Sequence, residues 1–433
     1  MNIAVIGSGA REHALAWRIN KDIESLDSEL NLFLIPGNPG TENLGMNVNI
    51  NQSDNESILK FCTSKNIDLV VIGPETPLVN GLADLLRSYD IPVFGPSQNA
   101  ARIESEKSYA KQIMQKYSVP TALYKEFSRE NIKECKEYIQ NSSFPLVVKA
   151  DGLAAGKGVI ICSNSEDAFL AVDSIFTENI FGKAGDKLII EEFLEGEEAS
   201  IFAITDGNSF ITLPSAQDHK RIWDDDKGKN TGGMGAYSPA PIITKNMSSE
   251  IEDLIIKPII SGLKKEGNPF IGCLYCGLII TNFGPKVIEF NCRFGDPETQ
   301  VVLPLIEGSF SNLLLSTAKG KIEKESVSFP KRCAVCIVAA SEGYPEKYDT
   351  GFKIEGLDLA NNENEIIFHA GTKKSNDDLI TSGGRVLGVT YVDHNNDLKN
   401  CIEEAYRLIG KISFKNIYYR KDIGKKAFSN LIP

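Results

Sequence analysis

The 433-residue sequence has no surplus of positive charge: 46 lysines and arginines stand against 58 aspartates and glutamates, a formal net charge of −12. A surface that tracks phosphate backbones needs the opposite balance, so nonspecific nucleic-acid binding is disfavoured. Long apolar runs are missing as well. No stretch approaches the span of a membrane helix, and the opening Met-Asn-Ile-Ala-Val-Ile-Gly has neither the basic flank nor the apolar core of an export signal. The expectation is a cytoplasmic protein with no membrane or nucleic-acid partner. Nine cysteines, an odd number scattered singly or in pairs, do not make a fully bridged framework, so reduced thiols are the default. What is present is ample material for packed interiors, 42% hydrophobic against 24% charged. At about 150 residues per domain the length suggests roughly three cores.

Residues 2–100 alternate short apolar runs with helical patterns, and 3–6, 32–35, 69–72 and 91–94 read as strands. Segment 53–65 reads as a helix capped at its start by Ser53, with Glu56 at the capping-box position and Ile58, Leu59, Phe61 and Cys62 along one face. Parallel strands with crossover helices follow from that alternation. From about residue 144 the pattern changes to hairpins: 145–149 with 159–162 around a glycine-rich turn, then 188–194 and 199–205 flanking another. Segments 272–280 and 286–291 meet at Asn282-Phe283-Gly284-Pro285. Beyond about residue 330, strands at 333–339, 366–370 and 386–392 and a helix near 401–409 suggest a separate β-rich terminal domain. The fold class is α/β and α+β, in several domains.

Two glycine-rich motifs are informative because they are incomplete. Gly7-Ser8-Gly9-Ala10-Arg11-Glu12 lies where a dinucleotide fingerprint would sit, but Glu12 holds the third glycine position, and the second strand runs into Ile35-Pro36-Gly37-Asn38 with no carboxylate for a ribose. What survives is a helix N-terminus able to hold an anion such as a sugar phosphate, with Arg11 near it, or else a tight turn without a ligand. Gly152-Leu153-Ala154-Ala155-Gly156-Lys157-Gly158 has one residue too few for a P-loop and Gly158 where Ser or Thr should bind magnesium. It lies between two strand signals, so it reads as a mobile hairpin tip that closes over a triphosphate, flanked by Lys149 and Lys157, or else as a merely permissive turn that would not need those lysines. The pairs Cys273/Cys276 and Cys333/Cys336 occupy apolar strands, where residues three apart face opposite sides and cannot share one ion.

Glu289-Phe290-Asn291 is the most telling short stretch. On a strand, residues two apart share a face, so a carboxylate and an amide oxygen point together while Phe290 turns to the core. Alone, such a pair is as well a solvated face; opposite a triphosphate it is half a magnesium site. The charge-dense turn Cys292-Arg293-Phe294-Gly295-Asp296-Pro297-Glu298 follows at once, and Arg293 there could neutralise a carboxylate or a transferring phosphate. Glu191, Glu192, Glu195, Glu197 and Glu198 straddle a turn that suits adenine and ribose, or a solvated acidic surface. Gln217-Asp218-His219-Lys220-Arg221 and Thr231-Gly232-Gly233-Met234-Gly235-Ala236 bracket a polar segment of the kind that lines sites, or else a disordered surface loop.

Taken in order, these motifs, together with Gly73-Pro74-Glu75, Asn230-Thr231-Gly232-Gly233-Met234-Gly235-Ala236-Tyr237-Ser238-Pro239, His369-Ala370-Gly371-Thr372 and Gly383-Gly384-Arg385-Val386, closely resemble the phosphoribosylamine–glycine ligase family of ATP-grasp enzymes over nearly the whole chain. The resemblance implies an ATP-grasp fold: an N-terminal parallel domain at 1–103 on the phosphoribosylamine side, a central domain at 104–120 and 193–328, a lid at 121–192 and a β-rich domain at 329–433. It implies a single-function ligase that consumes ATP, glycine and 5-phosphoribosylamine through a glycyl phosphate, a monomer or weak homodimer. By the same resemblance Lys107, Lys149, Gly156, Lys157 and Gly158 touch ATP phosphates, Glu191, Glu192, Phe193 and Leu194 the adenine, and Glu198 the ribose. Glu289 and Asn291 hold Mg2+ or Mn2+. Asp218, Arg293, Gly295 and Asp296 serve glycine and the acyl phosphate, and Gly9, Ala10, Arg11, Glu12 and Glu75 serve phosphoribosylamine. Ala10 stands where the family usually has a glycine, and Asp225 and Lys229 stand where it has Gly and Pro, which bears on substrate loops. Other ATP-grasp ligases, carboxylases using bicarbonate, and a non-catalytic nucleotide sensor are the competing readings.

Overall fold

The computed structural model describes residues 1–22, 30–154, 158–360 and 362–428. Strands β1 (Asn2–Gly7), β2 (Asn31–Pro36), β3 (Met46–Asn47), β4 (Leu69–Ile72) and β5 (Val93–Phe94) form a parallel sheet in the order β3-β2-β1-β4-β5. All four residues of β4 are buried, as a strand covered on both faces requires. Helices α1 (Ala10–Asn20), α2 (Asn55–Ser64), α3 (Glu75–Val79), α4 (Leu82–Arg87), α5 (Gln98–Ser105) and α6 (Lys107–Lys116) follow in chain order. The cap of α2 is Asp54 rather than Ser53: its carboxylate accepts the Ser57 N–H at 3.0 Å, while Ser53 lies one residue outside. The strand order reverses between β1 and β4, and the loops after both open a crevice of the kind in which such sheets bind ligands.

A smaller antiparallel sheet comes next, built from β6 (Tyr124–Ser128), β7 (Leu146–Ala150), β8 (Val159–Cys162) and β9 (Lys187–Glu192) in the order β6-β9-β7-β8. It has its own core of Phe127, Ile139, Val148, Val172 and Ile190. The remaining central strands are β10 (Glu197–Asp206), β11 (Phe210–Thr212), β12 (Gln217–Asp218), β13 (Arg221–Trp223), β14 (Lys227–Asn230), β15 (Gly235–Ser238), β16 (Ile271–Thr281) and β17 (Gly284–Asn291). The central sheet runs β11-β10-β16-β17. Strands β9 and β10 do not form the hairpin that the sequence suggests. They belong to different sheets, and the chain crosses between them at Gly196, where an added Cβ would stand 2.3 Å from the carbonyl oxygen of Ile280. Only glycine passes that gap.

The expected C-terminal strands are Cys333–Ser341, Glu365–His369 and Arg385–Asp393, backed by a helix at Leu398–Ile409. They share one sheet with β12 and β15, so the segment carrying Asp218 is fastened to the C-terminal region by main-chain hydrogen bonds. A single core joins Ile6 and Ile72 of the parallel sheet to Ile201, Leu274 and Phe290 of the central one. All nine cysteines are free and buried, and Cys273 and Cys276 enter different cores, as do Cys333 and Cys336. Among the described residues no helix is long and apolar enough to cross a membrane.

Candidate active site

Strand β7 carries Lys149 into a buried position where its Nζ donates to Glu191 Oε2 at 2.8 Å and to the Ile288 carbonyl at 3.4 Å. Ile288 precedes Glu289 on β17, so Lys149 spans from the small sheet to the strand that carries Glu289 and Asn291. The other oxygen of Glu191 lies 3.2 Å from Lys111 Nζ, and that lysine of α6 is pushed down to about 8 by burial, with Glu191 opposing. Lys107 opens α6 and donates to the carbonyls of Gly152 at 3.1 Å and Asp151 at 3.4 Å. Burial lowers its proton affinity against the pull of Glu289. Asp151 fixes the start of α6 by accepting the Ser108 N–H at 2.6 Å and its hydroxyl at 3.1 Å. Gly158 closes the base of the β7–β8 loop through its carbonyl to Ala150 N at 2.8 Å; Gly156 and Lys157 lie outside the described residues. Glu192 turns the other way and accepts from Leu123 N at 3.0 Å and Lys286 Nζ at 3.2 Å, and Phe193 and Leu194 follow in the crossing segment.

On β17, Glu289 lies opposite Gly277 and Asn291 opposite Tyr275, with Phe290 buried between them. Turned so that its nitrogen donates to Glu104 Oε1 at 3.1 Å and to the Phe290 carbonyl at 3.3 Å, the Asn291 amide leaves its oxygen unengaged by these partners. Lys220 joins this group: its Nζ is 2.8 Å from Glu198 Oε2 and 3.9 Å from Glu289 Oε1. Burial opposes its charge, but Glu198 and Glu289 outweigh that and hold its proton more tightly than usual. Glu198 is in turn held below the usual carboxylate range by Lys220. Among the described residues no cluster of three or more carboxylates, histidines or cysteines is placed to grip a metal. Two hard oxygens on one strand face therefore suit Mg2+ or Mn2+ completed by phosphate and water, not an all-protein cage.

The turn after β17 is a lattice of paired charges. Arg293 lies between two carboxylates, Nε to Glu75 Oε2 at 3.2 Å and Nη2 to Glu104 Oε1 at 2.8 Å. Burial works against its charge, and those two neighbours more than restore it. Glu104 also accepts the Cys292 N–H at 2.7 Å. Asp296 is held by Arg385, Nη2 to Oδ2 at 3.0 Å, and by Gln300 Nε2 at 2.8 Å. Glu298 is buried and accepts from Ser200 Oγ at 3.2 Å and Tyr275 OH at 2.9 Å. Asp218 differs from all of these, because its Oδ1 is buried with no hydrogen-bond partner. Burial and the nearby Glu298 hold its carboxyl well above the usual range. Gly233 (φ +104°) is what leaves room there: a Cβ would come within 2.9 Å of that oxygen and 2.3 Å of Pro297 Cδ. Gly295 gives the same room to Glu298, whose Oε2 would lie 2.5 Å from an added Cβ.

The first loop explains its own departure from the dinucleotide fingerprint. Glu12 Oε2 accepts the Gly9 N–H at 2.7 Å, and Cβ atoms at Gly7 or Gly73 would each come within 2.3 Å of the Glu12 side chain. The glycines after β1 and β4 thus make space for a carboxylate. Arg11 is buried and engaged with Glu12 Oε1 at 2.6 Å and the Phe294 carbonyl at 3.2 Å, while Ala10 starts α1 as a buried residue. Asn38 Nδ2 ties this loop to the C-terminal region, donating to the carbonyls of Ser8 and His369, both at 2.9 Å.

Sequence reasoning did not single out Lys111, Lys220, Glu104, Glu298 or Arg385 as site residues. A signal existed for Lys111, which is one helical turn from Lys107 on the buried stripe that also carries Met114. For Glu104 none did, because its partner lies 189 residues away; Arg385 lay within the Gly383-Gly384-Arg385-Val386 motif, but its partner Asp296 is 89 residues away.

Three family profiles cover the chain: phosphoribosylglycinamide synthetase N domain at residues 1–104, its ATP-grasp (A) domain at 105–299 and its C domain at 334–426. The chain is 43% identical over 423 residues to a phosphoribosylamine–glycine ligase of Caldanaerobacter subterraneus, covering 98% of this chain and 99% of that one. It is 45% identical to a bifunctional purine biosynthetic protein of Pichia angusta, of which it spans 54% while 99% of this chain is matched. Among solved structures, a phosphoribosylamine–glycine ligase of Thermotoga maritima superposes with a TM-score of 0.83 at 33% identity, covering 98% of this chain and 100% of that one.

Proposed function

The chain belongs to the phosphoribosylglycinamide synthetase family, and from that premise we propose that it joins glycine to 5-phosphoribosylamine at the expense of ATP, giving glycinamide ribonucleotide, ADP and phosphate. A carboxylate is a poor electrophile. A glycine carboxylate oxygen attacks the γ-phosphorus of ATP as the bond to the ADP oxygen breaks, giving glycyl phosphate. The amine nitrogen of phosphoribosylamine then attacks the acyl carbon, phosphate leaves with one former carboxylate oxygen, and the nitrogen sheds a proton. No covalent link to the protein is required.

One observation supports this reading: Lys149 reaches the Ile288 carbonyl, beside Glu289, so the lysine assigned to the triphosphate adjoins the strand of the oxygen pair assigned to its metal. In this assignment Lys107, Lys149, Lys157 and the loop amides of Gly156 and Gly158 engage the phosphates. The main chain of Glu191, Glu192, Phe193 and Leu194 meets the adenine, and Glu198 meets the ribose. Glu289 and Asn291 would hold Mg2+ or Mn2+, which when bound offsets phosphate charge and polarises the phosphoryl group. Asp218, whose buried Oδ1 has no hydrogen-bond partner, and Arg293, with Asp296 nearby on its Arg385 anchor, frame glycine and the transferring group beside Gly295. The loop of Gly9, Ala10, Arg11 and Glu12 with Glu75 takes phosphoribosylamine. The same reading assigns residues 1–103, 104–120 with 193–328, 121–192 and 329–433 to the four domains, acting in the cytoplasm as a monomer or weak homodimer.

The test is release of ADP from ATP and magnesium with glycine and freshly made phosphoribosylamine, singly and together. Release that requires both supports the assignment; release indifferent to glycine, or supported equally by bicarbonate or another amino acid, overturns it.

A further inference from the structure

Glu191 is a buried carboxylate shared by two ammonium groups, Lys149 at 2.8 Å on one oxygen and Lys111 at 3.2 Å on the other. The three residues come from different places: Lys149 and Glu191 from neighbouring strands of the small sheet, Lys111 from α6. Lys111 is itself almost wholly buried and further fixed by Thr121 Oγ1 at 2.8 Å and the Ala122 carbonyl at 3.3 Å. Thr121 Oγ1 in turn donates to the Val287 carbonyl at 2.7 Å, on the strand that carries Glu289.

The arrangement poses a physical difficulty that Lys111 resolves. Lys149 already donates to Glu191 and the Ile288 carbonyl; turning toward a nucleotide phosphate weakens its hold on Glu191, and a carboxylate stranded in a buried site without a counter-ion is strongly disfavoured. With Lys111 remaining on the other oxygen, Glu191 stays paired whichever way Lys149 turns. We propose that Lys111 is a positioning residue for ATP: it holds the charge of Glu191 so that Lys149 can be handed from Glu191 to the nucleotide phosphates. This rests on the ligase reading above in taking Lys149 as a phosphate contact. Lys111 does not touch substrate in this scheme.

The experiment compares wild type, Lys111→Met, Glu191→Gln and the double variant. It measures Kd for a non-hydrolysable ATP analogue with magnesium, together with KM for ATP and for glycine. In Lys111→Met, Lys149 is the one ion-pair partner left to Glu191 among the described residues, so the nucleotide Kd and KM for ATP rise roughly tenfold or more, while KM for glycine stays within about twofold. In the double variant the neutral amide needs no counter-ion, and ATP binding returns to within about threefold of wild type. A packing role for Lys111 predicts instead that the double variant binds ATP as poorly as Lys111→Met, and that result overturns the proposal. So does an unchanged ATP Kd in Lys111→Met. Should Lys111→Met not fold, Lys111→Gln with its own Glu191→Gln partner carries the same comparison. A wild-type protein that binds ATP but never couples it to glycine would instead sink the ligase reading and leave this one standing on binding alone.

Discussion

Lys220 stands 3.9 Å from Glu289, so the carboxylate best placed to hold a divalent ion already has a cation at its side. The same ammonium is bonded to Glu198 at 2.8 Å, so it offsets two carboxylates at once. Replacing Lys220 with Met removes fixed positive charge where negative charge develops, and kcat should fall by about a hundredfold. Because Lys220 also competes with a metal for Glu289, the magnesium concentration for half-maximal rate should not rise. A steady-state magnesium titration of the variant checks both statements.

Glu289→Ala removes one of the two oxygen donors on β17 while its neighbour Phe290 keeps the core contact. The rate should fall by on the order of a hundredfold or more, several kcal/mol of transition-state stabilisation, with far-UV circular dichroism and the melting transition unchanged. Turnover like that of wild type would take Glu289 out of the metal site.

Arg293 bridges Glu75 and Glu104, and Glu104 is buried. Arg293→Met strands that carboxylate and should lower the unfolding free energy by about 3 kcal/mol, as removal of one partner from a buried pair does. Adding Glu104→Gln should recover a substantial part of the loss, a coupling that urea unfolding of the two single variants and the double variant measures directly.

Buried histidines contribute to the acid limb of stability. Burial, and then His369, lowers His13 to about 3; burial, and then Lys426, lowers His219 to about 3. Unfolded imidazoles titrate near 6.5, so between about pH 3 and 6.5 the unfolded chain binds protons that the folded chain does not. Stability from these groups is complete above about pH 6.5 and drains away as pH falls, by at most about 1.4 kcal/mol per unit for each. His219 bonds to the Gly235 carbonyl and accepts the Gly424 N–H, both of which a glutamine can satisfy. His219→Gln should flatten the dependence of unfolding free energy on pH between about 4.5 and 6 by about that one-residue slope, measured by urea denaturation at each pH.

The parallel sheet was legible because its strands are short apolar runs between amphipathic helices, and the Glu289/Asn291 pair because a strand's period of two is read directly from residue type. The separation of β9 from β10 was not, since a turn within one hairpin and a crossing between two sheets carry the same Glu-Gly signature. Only the approach of Gly196 to Ile280 distinguishes them. Paired charges were the least visible layer. That Arg385 from another strand holds Asp296, and that Lys111 faces Glu191, depends on elements far apart in sequence. The incomplete fingerprint after β1 was legible as a failure, but that its glycines accommodate Glu12 is a fact of three dimensions.

Transfer of oxygen tests the chemistry most directly. With glycine labelled by 18O in both carboxylate positions, a mechanism through glycyl phosphate delivers one labelled oxygen to each phosphate released, alongside ADP and the amide product. Phosphate that emerges without label while the amide forms at its normal rate would contradict it.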